Sequence, residues 1–576
     1  MQKRKKQSAI GDRLAEAANF AGQTEYPSVF AAAYVFLKIR ERGLVDVENL
    51  VDFVEGLDLP QSSKSFLKIT LAKTWKSYRP LITAATIDDL RSFIASPKFD
   101  MRRYQLMTPH SVIQLCIGAL GLGKAQACAD MGSDMGAFLL EVAKNCPGAK
   151  ATGFEISAES SIIANLRFDA MGLAGRIASI EKDVFVLGKD FEQFDRVFCH
   201  PPFGLKYLSE SGRKFIEGIP SLPTLKASTS SEWYFVLRAL ASLNDKGRCA
   251  VLITSGATFS ISDIPVRKYL VERNLVEAVV ALPVGMMSGT GVQMAIILLN
   301  KDKRDASTIM VDASLLGHRA KRITVLSNDE IHEILSILKR EPSSDISQIP
   351  HAVTDAHKIE NEDFILMPKR YAGCERVNIP NGMPLGELMS AISSGEALHP
   401  DERDEIKSSE PTKFGYITQA VIKDGLIDKS EIWISQTPQG RHPVRVLNGD
   451  LILTKVGRPL KCTVVDAKED EQLFVGPNLY AIRLNTDLID PYFVKAYLES
   501  PTGQALLSRI SCGVGMPVIP MRDLKEILIP VPPMPKQKAV SNLYRARLAE
   551  VAYLRREIER ASNALNTVYA DAMKEA

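Results

Sequence analysis

The stretch ACADMGSDMG, residues 127–136, decides the fold of the central part of this chain. Its apolar first half has the length of a buried strand, and its second half places Gly132 and Gly136 before a helical segment at 136–144. Glycines let the backbone bend closely beneath a ligand, and a helix N-terminus behind them attracts anionic groups. The stretch therefore predicts a strand, a turn and a helix that could hold a nucleotide, although such a turn also occurs without any ligand.

The same alternation continues through residue 300. Short β-rich runs at 127–130, 151–155, 177–183, 195–199, 248–254, 275–281 and 295–300 alternate with helical runs at 136–144, 160–171, 231–244 and 265–273. Strands that alternate with helices form βαβ units around a mostly parallel sheet. We predict an α/β, Rossmann-like core whose ligand lies at the carboxyl ends of the strands.

Acidic residues stand at three successive strand ends. Asp130 ends the first predicted strand, Glu155 the second and Asp183 the third. An acid at the end of the second strand is placed to bind the two ribose hydroxyls of an adenosine cofactor, and Asp183 could accept a hydrogen from its adenine amino group. Each acid alone would more often be a solvated loop residue, but three in order predict an adenosine site.

The run FCHPPFG, residues 198–204, follows the fourth predicted strand. Pro201 and Pro202 fix their own φ angles and donate no backbone hydrogen bond, so the loop is rigid before a ligand arrives. The aromatic ring of Phe203 on such a rim can stack on a flat heterocycle. His200, Pro201, Pro202 and Phe203 are therefore candidates for a site that holds a base.

The flanking segments differ in pattern, and four domains are predicted. Residues 1–98 read as helical, 99–375 as the α/β core, 376–535 as a mainly β-rich domain of α+β class, and 536–576 as one long helix. Apolar residues of that helix recur every three or four positions, from Tyr544 to Ala572. This spacing is close to a heptad repeat and predicts a partner helix.

Composition excludes several classes of protein. The net charge is only +3, so any nucleic-acid-binding surface must be a local patch of basic residues. The eight cysteines form no CxxC pair, so we expect no metal site and a reducing, cytoplasmic setting. The sequence has no run of about twenty apolar residues, so we expect no membrane span. The GxxxxGK[ST] loop of an ATP-driven motor is missing from the sequence, as is a convincing nuclease cluster in its first 95 residues.

Residues 100–372 resemble the N6-adenine DNA methyltransferase subunit of type I restriction-modification systems. Residues 101–109 are similar to a Thr-Pro segment of that family, residues 130–139 to its glycine loop, and HPPFG to its Asn-Pro-Pro-Phe motif. The resemblance implies S-adenosylmethionine as methyl donor and adenine in DNA as substrate. It implies a catalytic set of His200, Pro201, Pro202 and Phe203, and a cofactor-binding set of Thr108, Pro109, Asp130, Gly132, Gly136, Glu155 and Asp183.

Residues 383–535 resemble one target-recognition domain of the matching specificity subunit, and the helix that follows resembles its spacer helix. The resemblance implies that the chain binds double-stranded DNA and forms a homodimer through this helix. Any nuclease, motor or defence effector would be a separate partner subunit. The candidate DNA contacts are Lys455, Arg458, Lys461, Arg509 and Arg522, although each residue alone would more often be a solvated surface charge.

Several positions depart from the family pattern, and two of them bear on the chemistry. His200 stands where the family has Asn or Asp, and Asp134 stands where it has glycine. Two alternatives therefore remain open. The chain is an active methyltransferase of a divergent branch, or it is a methyltransferase-like subunit that binds DNA, no longer methylates, and recruits or regulates a partner effector.

Overall fold

The computed structural model describes residues 26–95, 108–123, 126–188, 193–202, 204–205, 208–287, 290–320, 323–341, 348–372, 379, 381–438, 442–457, 460–511 and 517–574. The chain divides into two compact units, Met1–Gly373 and Cys374–Ala576. Phe203 and Arg458, two of the predicted site residues, lie outside the described residues.

Short helices form the first part of the first unit. They are α1 Tyr26–Glu41, α2 Leu50–Glu55, α3 Gln61–Leu71, α4 Trp75–Tyr78 and α5 Ile87–Ala95. Every side chain from Val29 to Leu37 is fully buried, because α1 is apolar on all sides and neighbouring helices surround it. The helix α3 ends at Leu71, and a separate short helix, α4, begins at Trp75.

The core of this unit is a nine-stranded sheet with helices on both faces. Its strands, with the separate hairpin β9–β10, are β1 Ala127–Met131, β2 Lys150–Glu155, β3 Ile177–Glu181, β4 Phe194–Cys199, β5 Leu243–Thr254, β6 Val276–Ala281, β7 Met294–Asn300, β8 Ser307–Asp312, β9 His318–Ala320, β10 Ile323–Val325 and β11 His351–Asp355. The helices are α6 His110–Leu120, α7 Ala137–Asn145, α8 Ala158–Ala170, α9 Glu210–Glu217, α10 Glu232–Ala241, α11 Ile264–Glu272, α12 Asn328–Lys339 and α13 Ala356–Asn361.

The strand order is β11-β8-β6-β7-β5-β4-β1-β2-β3. The strands β3, β2, β1, β4 and β5 run parallel, and β7 is inserted antiparallel between β5 and β6. Alternate residues of a strand enter opposite apolar clusters: Phe198 packs on one face, and Val197 and Cys199 pack on the other. The predicted α/β, Rossmann-like class is confirmed.

Register brings the ends of the central strands together. Asp130 pairs with Gly153 of β2 and with Phe198 of β4, so β1, β2 and β4 end at one edge of the sheet. The strand β3 stops at Glu181, two residues before its predicted end. Asp183 instead caps the 3-10 turn Val184–Val186 and accepts a hydrogen bond from the Phe185 amide. It still lies beyond the carboxyl end of β3.

The second unit has an α+β fold. Its strands are β12 Gly382–Pro384, β13 Met389–Ser394, β14 Phe414–Ile417, β15 Ile422–Lys423, β16 Leu426–Ile427, β17 Trp433–Ile434, β18 Arg445–Val446, β19 Leu451–Thr454, β20 Cys462–Val464, β21 Gln472–Val475, β22 Leu479–Leu484 and β23 Leu528–Pro530. Two four-stranded sheets have the orders β13-β22-β19-β20 and β17-β14-β21-β18. The helices are α14 Leu385–Leu388, α15 Pro400–Ile406, α16 Pro491–Glu499, α17 Pro501–Ile510, α18 Met521–Glu526 and α19 Met534–Lys574.

The last helix, α19, is fixed to the second unit by its N-terminal part. Gln537 is buried and accepts a hydrogen bond from the Asp490 amide, and the Ser541 hydroxyl donates to the Asp490 carboxylate. The Tyr544 hydroxyl donates to Glu499 of α16. A helix of 41 residues is about 60 Å long. An ion pair between Arg555 and Asp424 adds a contact near the middle of the helix, so the first half of α19 sets its direction relative to the rest of this unit.

Within the described residues, every helix is too short or too polar to cross a membrane. The same residues contain no cluster of three or more His, Cys, Asp or Glu side chains suited to holding a metal ion.

Candidate functional site

A cavity of about 520 Å³ opens at the carboxyl ends of β1, β2 and β4. Eight predicted site residues line it: Thr108, Asp130, Gly132, Glu155, Asp183, His200, Pro201 and Pro202. Pro109 lies at the N-terminus of α6 and Gly136 at the N-terminus of α7, and neither lines the cavity. The structure thus brings residues from five separate stretches of the sequence around one space.

The turn after β1 depends on left-handed backbone conformations. The φ angles are +97° at Gly132, +44° at Asp134 and +73° at Gly136. A Cβ atom added at Gly136 would overlap the ring of Phe168 in α8. Gly136 therefore serves the packing of the turn against α8, whereas Gly132 and Asp134 line the cavity. Asp134 occupies a conformation that glycine adopts without strain and Asp tolerates.

Glu155 holds this turn in place. One carboxylate oxygen accepts a hydrogen bond from the Asp134 amide at 2.8 Å, and the other accepts from the Ser157 amide at 2.9 Å. A carboxylate has about four acceptor positions, so both oxygens can still accept from ligand hydroxyls. The Asp134 carboxylate accepts from the Ser160 hydroxyl at the start of α8.

The cavity is rich in carboxyl groups. Asp130, Asp134, Glu155 and Asp183 line it, and Lys182 is the sole ammonium among its described lining residues. Burial, together with the charges of Glu155 and Asp134, raises the pKa of Asp130 well above its usual value. Burial and the charge of Glu155 raise the pKa of Asp134 to about 6. These conditions favour a ligand that is cationic or rich in hydrogen-bond donors.

Asp130 also presents an unsatisfied atom. Its side chain is 2% exposed, and its Oδ1 oxygen has no hydrogen-bond partner within the described part of the chain. A buried acceptor without a partner costs free energy that a donor group of a ligand would recover.

Aromatic and aliphatic side chains form the other wall. Phe185 and Phe235 pack edge to face with 5.0 Å between ring centroids, and Ile156 is 73% exposed beside Glu155. The Ser209 hydroxyl donates to Asp183 at 3.4 Å. Sequence analysis missed Phe185, Phe235, Ile156 and Ser209. The position of Ile156 directly after a predicted strand-end acid could have indicated it; the others reach the cavity only through the tertiary fold.

His200 is held by Thr108. The Nδ1 atom of the ring lies 2.8 Å from the Thr108 Oγ1 atom. Burial lowers the pKa of His200 to about 4, because the charged ring would lose its hydration. The ring is therefore neutral at pH 7 and can accept a hydrogen bond through one nitrogen. The adjacent Pro201 lines the same cavity and carries a backbone carbonyl that can also accept.

This combination of a glycine turn, strand-end acids and a His-Pro-Pro rim lies within one recognised segment. Residues 98–378 match the N-6 DNA Methylase family. The match covers just under half of the 576 residues and confirms the resemblance predicted for this part of the chain. The whole cavity lies within the N-6 DNA Methylase segment.

Methylase subunits of type I restriction enzymes are similar to part of the chain. The methylase subunit of the type I restriction enzyme MpnII from Mycoplasma pneumoniae is 26% identical over 189 residues, which are 32% of this chain and 34% of that protein. The methylase subunit of the type I restriction enzyme HindI from Haemophilus influenzae is 23% identical over 312 residues, 51% of this chain and 69% of that protein. The chain thus spans about a third of the length of the first relative.

One solved structure is similar over both units. A cryo-EM structure of a DrdV–DNA complex aligns with a TM-score of 0.51 and 12% identity, covering 94% of this chain and 71% of that one. At this identity the similarity concerns the fold alone.

The cavity in the N-6 DNA Methylase segment has a geometry and a lining that fit S-adenosylmethionine. That donor is a cation with two ribose hydroxyls and an adenine amino group, which suits a cavity with four carboxyl groups and an unsatisfied Asp130 oxygen. Glu155 and Asp183 would hold the adenosine part, and the backbone turn at Gly132 leaves room beside it, since a Cβ there would come no closer than 3.6 Å to another atom. When bound, the donor supplies an electrophilic methyl group.

The predicted DNA contacts belong to the second unit. Arg509 and Arg522 are exposed, and the Lys455 ammonium lies 5.7 Å from the centroid of the Tyr480 ring. The Lys461 ammonium donates to the backbone oxygen of Ile422 at 2.7 Å and to that of Gln419 at 3.5 Å, so it stabilises the fold of this unit.

Proposed function

We propose that this protein is a sequence-specific DNA adenine-N6 methyltransferase of a restriction-modification or related phage-defence system, with S-adenosylmethionine as the methyl donor. One observation carries the proposal: a single cavity is lined by the glycine turn, by Glu155 and Asp183, and by the His200-Pro201-Pro202 rim. The residues proposed to bind the cofactor and those proposed to hold the base therefore line the same cavity.

The chain's own groups would activate a poor nucleophile. The lone pair of an exocyclic amine is delocalised into the ring of the base. Two acceptors placed on its hydrogens, the Pro201 carbonyl and the neutral ring of His200, would draw the nitrogen toward tetrahedral geometry and direct the lone pair at the methyl carbon. S-adenosylmethionine would supply the methyl group and leave as S-adenosylhomocysteine, and the surplus proton of the methylated amine would pass to solvent. The target base must leave the duplex to reach this cavity; stacking by Phe203 stays a prediction.

The second unit would supply sequence recognition. We propose that residues 376–535 form one target-recognition domain and that Lys455, Arg458, Arg509 and Arg522 contact the phosphates or bases of double-stranded DNA. One such domain reads one half of a bipartite site. Two copies joined through α19 would read both halves, and a cleaving nuclease or other effector would come from a separate subunit.

The experiment is methyl transfer from isotopically labelled S-adenosylmethionine to double-stranded DNA of random sequence. We expect label on adenine with the native chain. Glu155→Gln should weaken donor binding about 10- to 100-fold, since a charged hydrogen-bond acceptor is lost, and His200→Ala should lower kcat about 100-fold or more. Glu181→Gln, an exposed acid at the end of neighbouring β3, is the matched control and should change neither.

The second candidate function is a DNA-binding subunit without catalysis. It is favoured by the departures from the family pattern at Asp134 and His200. That candidate predicts DNA binding together with no labelled adenine and no measurable binding of the donor. Creation of activity by His200→Asn would support it as well. Labelled adenine with the native chain would exclude it.

A further inference from the structure

The loop that carries the His200-Pro201-Pro202 rim is held at both of its ends. At its start, Cys199 is the last residue of β4, which is paired with β5 in the sheet. At its far end, the Leu205 amide donates a hydrogen bond to the Ser231 hydroxyl oxygen at 3.2 Å. Leu205 lines the cavity together with the rim. The contact with Ser231 therefore fixes the rim on the side away from β4.

The hydrogen bonds around Ser231 each have one direction. A backbone amide always donates, so the Ser231 oxygen is the acceptor for Leu205. The Ser231 hydroxyl donates to the Glu232 carboxylate, whose Oε2 oxygen lies 3.3 Å away. The Thr254 hydroxyl donates to the other oxygen, Oε1, at 2.7 Å. The contacts thus run from the loop amide through Ser231 and Glu232 to the last residue of β5.

Glu232 is buried at the N-terminus of α10. The residue is 3% exposed, and the positive end of the helix dipole favours a negative charge at this position. A buried carboxylate costs free energy unless hydrogen-bond donors meet it. The hydroxyls of Ser231 and Thr254 are therefore held in the directions that satisfy Glu232, and a lone pair of the Ser231 oxygen is left to accept from the Leu205 amide.

We propose that Ser231 and Glu232 are positioning residues that hold the His200-Pro201-Pro202 rim in place for the target base. The inference rests on the proposed function. The two prolines have fixed φ angles, so a rim that is anchored at both ends keeps its hydrogen-bond acceptors at set positions. Neither Ser231 nor Glu232 lines the cavity, so both act on the base through the loop.

The test is hydrogen exchange of the full chain, read by mass spectrometry in the peptide that contains Leu205. Ser231→Ala removes the acceptor, and exchange in this peptide should become about 3- to 10-fold faster. The turn at 132–136, on the donor side of the cavity, should keep its native rate. Ser230→Ala is the matched control, because the Ser230 hydroxyl donates to Asp263 at 2.6 Å, and it should leave the Leu205 peptide unchanged.

Glu232→Gln tests whether the carboxylate acts through Ser231. The glutamine amide replaces one acceptor oxygen by a donor, so exchange in the Leu205 peptide should rise about 2- to 5-fold. Ser231→Ala combined with Glu232→Gln should exchange no faster there than Ser231→Ala alone, because the linking hydroxyl is already gone. Effects that multiply in the double variant, or a native exchange rate in Ser231→Ala, would overturn the inference. Should Glu232→Gln fail to fold, Ser231→Ala decides alone.

Kinetics separates this inference from the proposed function. In an active enzyme, Ser231→Ala should lower kcat about 10-fold and leave the Kd for S-adenosylhomocysteine nearly unchanged, because Glu155 and Asp183 are untouched. A general loss of structure would weaken both, and that result or an unchanged kcat would contradict a positioning role. If the native chain transfers no methyl group, the proposed function fails, and the exchange rates still decide whether Ser231 anchors the loop.

Discussion

Gly136 shows how one residue constrains the cavity from outside it. Its φ is +73°, and a Cβ atom added to it would overlap the ring of Phe168, so its Cα atom has space for hydrogen alone. Gly172 has a similar φ of +68°, but a Cβ there would have open space around it. A comparison of alanine substitutions at the two glycines therefore separates the cost of backbone strain from the cost of steric overlap.

We predict that Gly172→Ala costs about 1 kcal/mol of unfolding free energy, the strain of a left-handed alanine. Gly136→Ala should cost about 2–4 kcal/mol, because overpacking against Phe168 adds to the same strain. Urea unfolding of the two variants measures the difference. Equal losses would show that the turn can move away from α8 without cost.

Asp134 predicts a pH dependence of stability. Its pKa of about 6 in the folded chain lies above the ordinary value of 3.8, so the folded state holds this proton more tightly than the unfolded state. The stabilisation is fully present below pH 3.8 and is lost as the pH rises through about 6. Asp134→Asn removes this titration and keeps a residue that tolerates positive φ.

The unfolding free energy of Asp134→Asn, compared with that of the native chain, should therefore rise by on the order of 1–3 kcal/mol as the pH increases from about 4 to about 8. Thermal unfolding at the two pH values measures this change. A constant difference between variant and native chain across that range would contradict the assignment. The same carboxylate, once ionised, should favour cationic S-adenosylmethionine over the uncharged sulfur of S-adenosylhomocysteine.

At the scale of elements, Arg167 of α8 ties three segments together. Its buried guanidinium donates to the backbone oxygens of Ile94 and Ala95 at the end of α5, and to that of Met135 in the glycine turn. The N-terminal helices are thereby connected to the turn that lines the cavity. A change in α5 can reach the cavity through this one side chain.

We predict that Arg167→Met lowers the unfolding free energy by about 2–5 kcal/mol, because buried carbonyl groups lose their donor. Hydrogen exchange should speed up in the 131–136 turn and in α5 before it does in β5. Arg304→Met is the control, since the Arg304 side chain is 89% exposed, and it should leave exchange unchanged. Uniform exchange changes across the sheet would argue against a specific link.

At the scale of the whole molecule, we propose that α19 mediates assembly. Val551, Leu554, Ile558 and Leu565 repeat at heptad spacing and are 43–75% exposed. Closer to its start the helix is fixed by Gln537, Ser541 and Tyr544. An exposed apolar stripe on a helix that is fixed through its first half favours pairing with the same helix of a second copy.

We predict that Ile558→Glu with Leu565→Glu converts a dimer to a monomer, as measured by size-exclusion chromatography with light scattering at micromolar concentration, with and without DNA. Ala549→Glu with Asn563→Glu adds the same charge at exposed positions off the stripe and should leave the dimer intact. A native chain that is monomeric under both conditions would refute the homodimer.

The sequence by itself determined the order of elements and the acids at the strand ends. The apolar runs at 127–130 and 195–199 lie within β1 and β4, and Glu155 ends β2, because burial on both faces of a parallel sheet imposes local apolar runs with turns at fixed places. Only the tertiary structure decided that Gly136 packs on Phe168 instead of lining the cavity, that Phe185 and Phe235 complete its wall, and that Thr108 binds His200. These contacts join residues far apart in the chain, and they follow from packing and strand register, on which local composition carries no information.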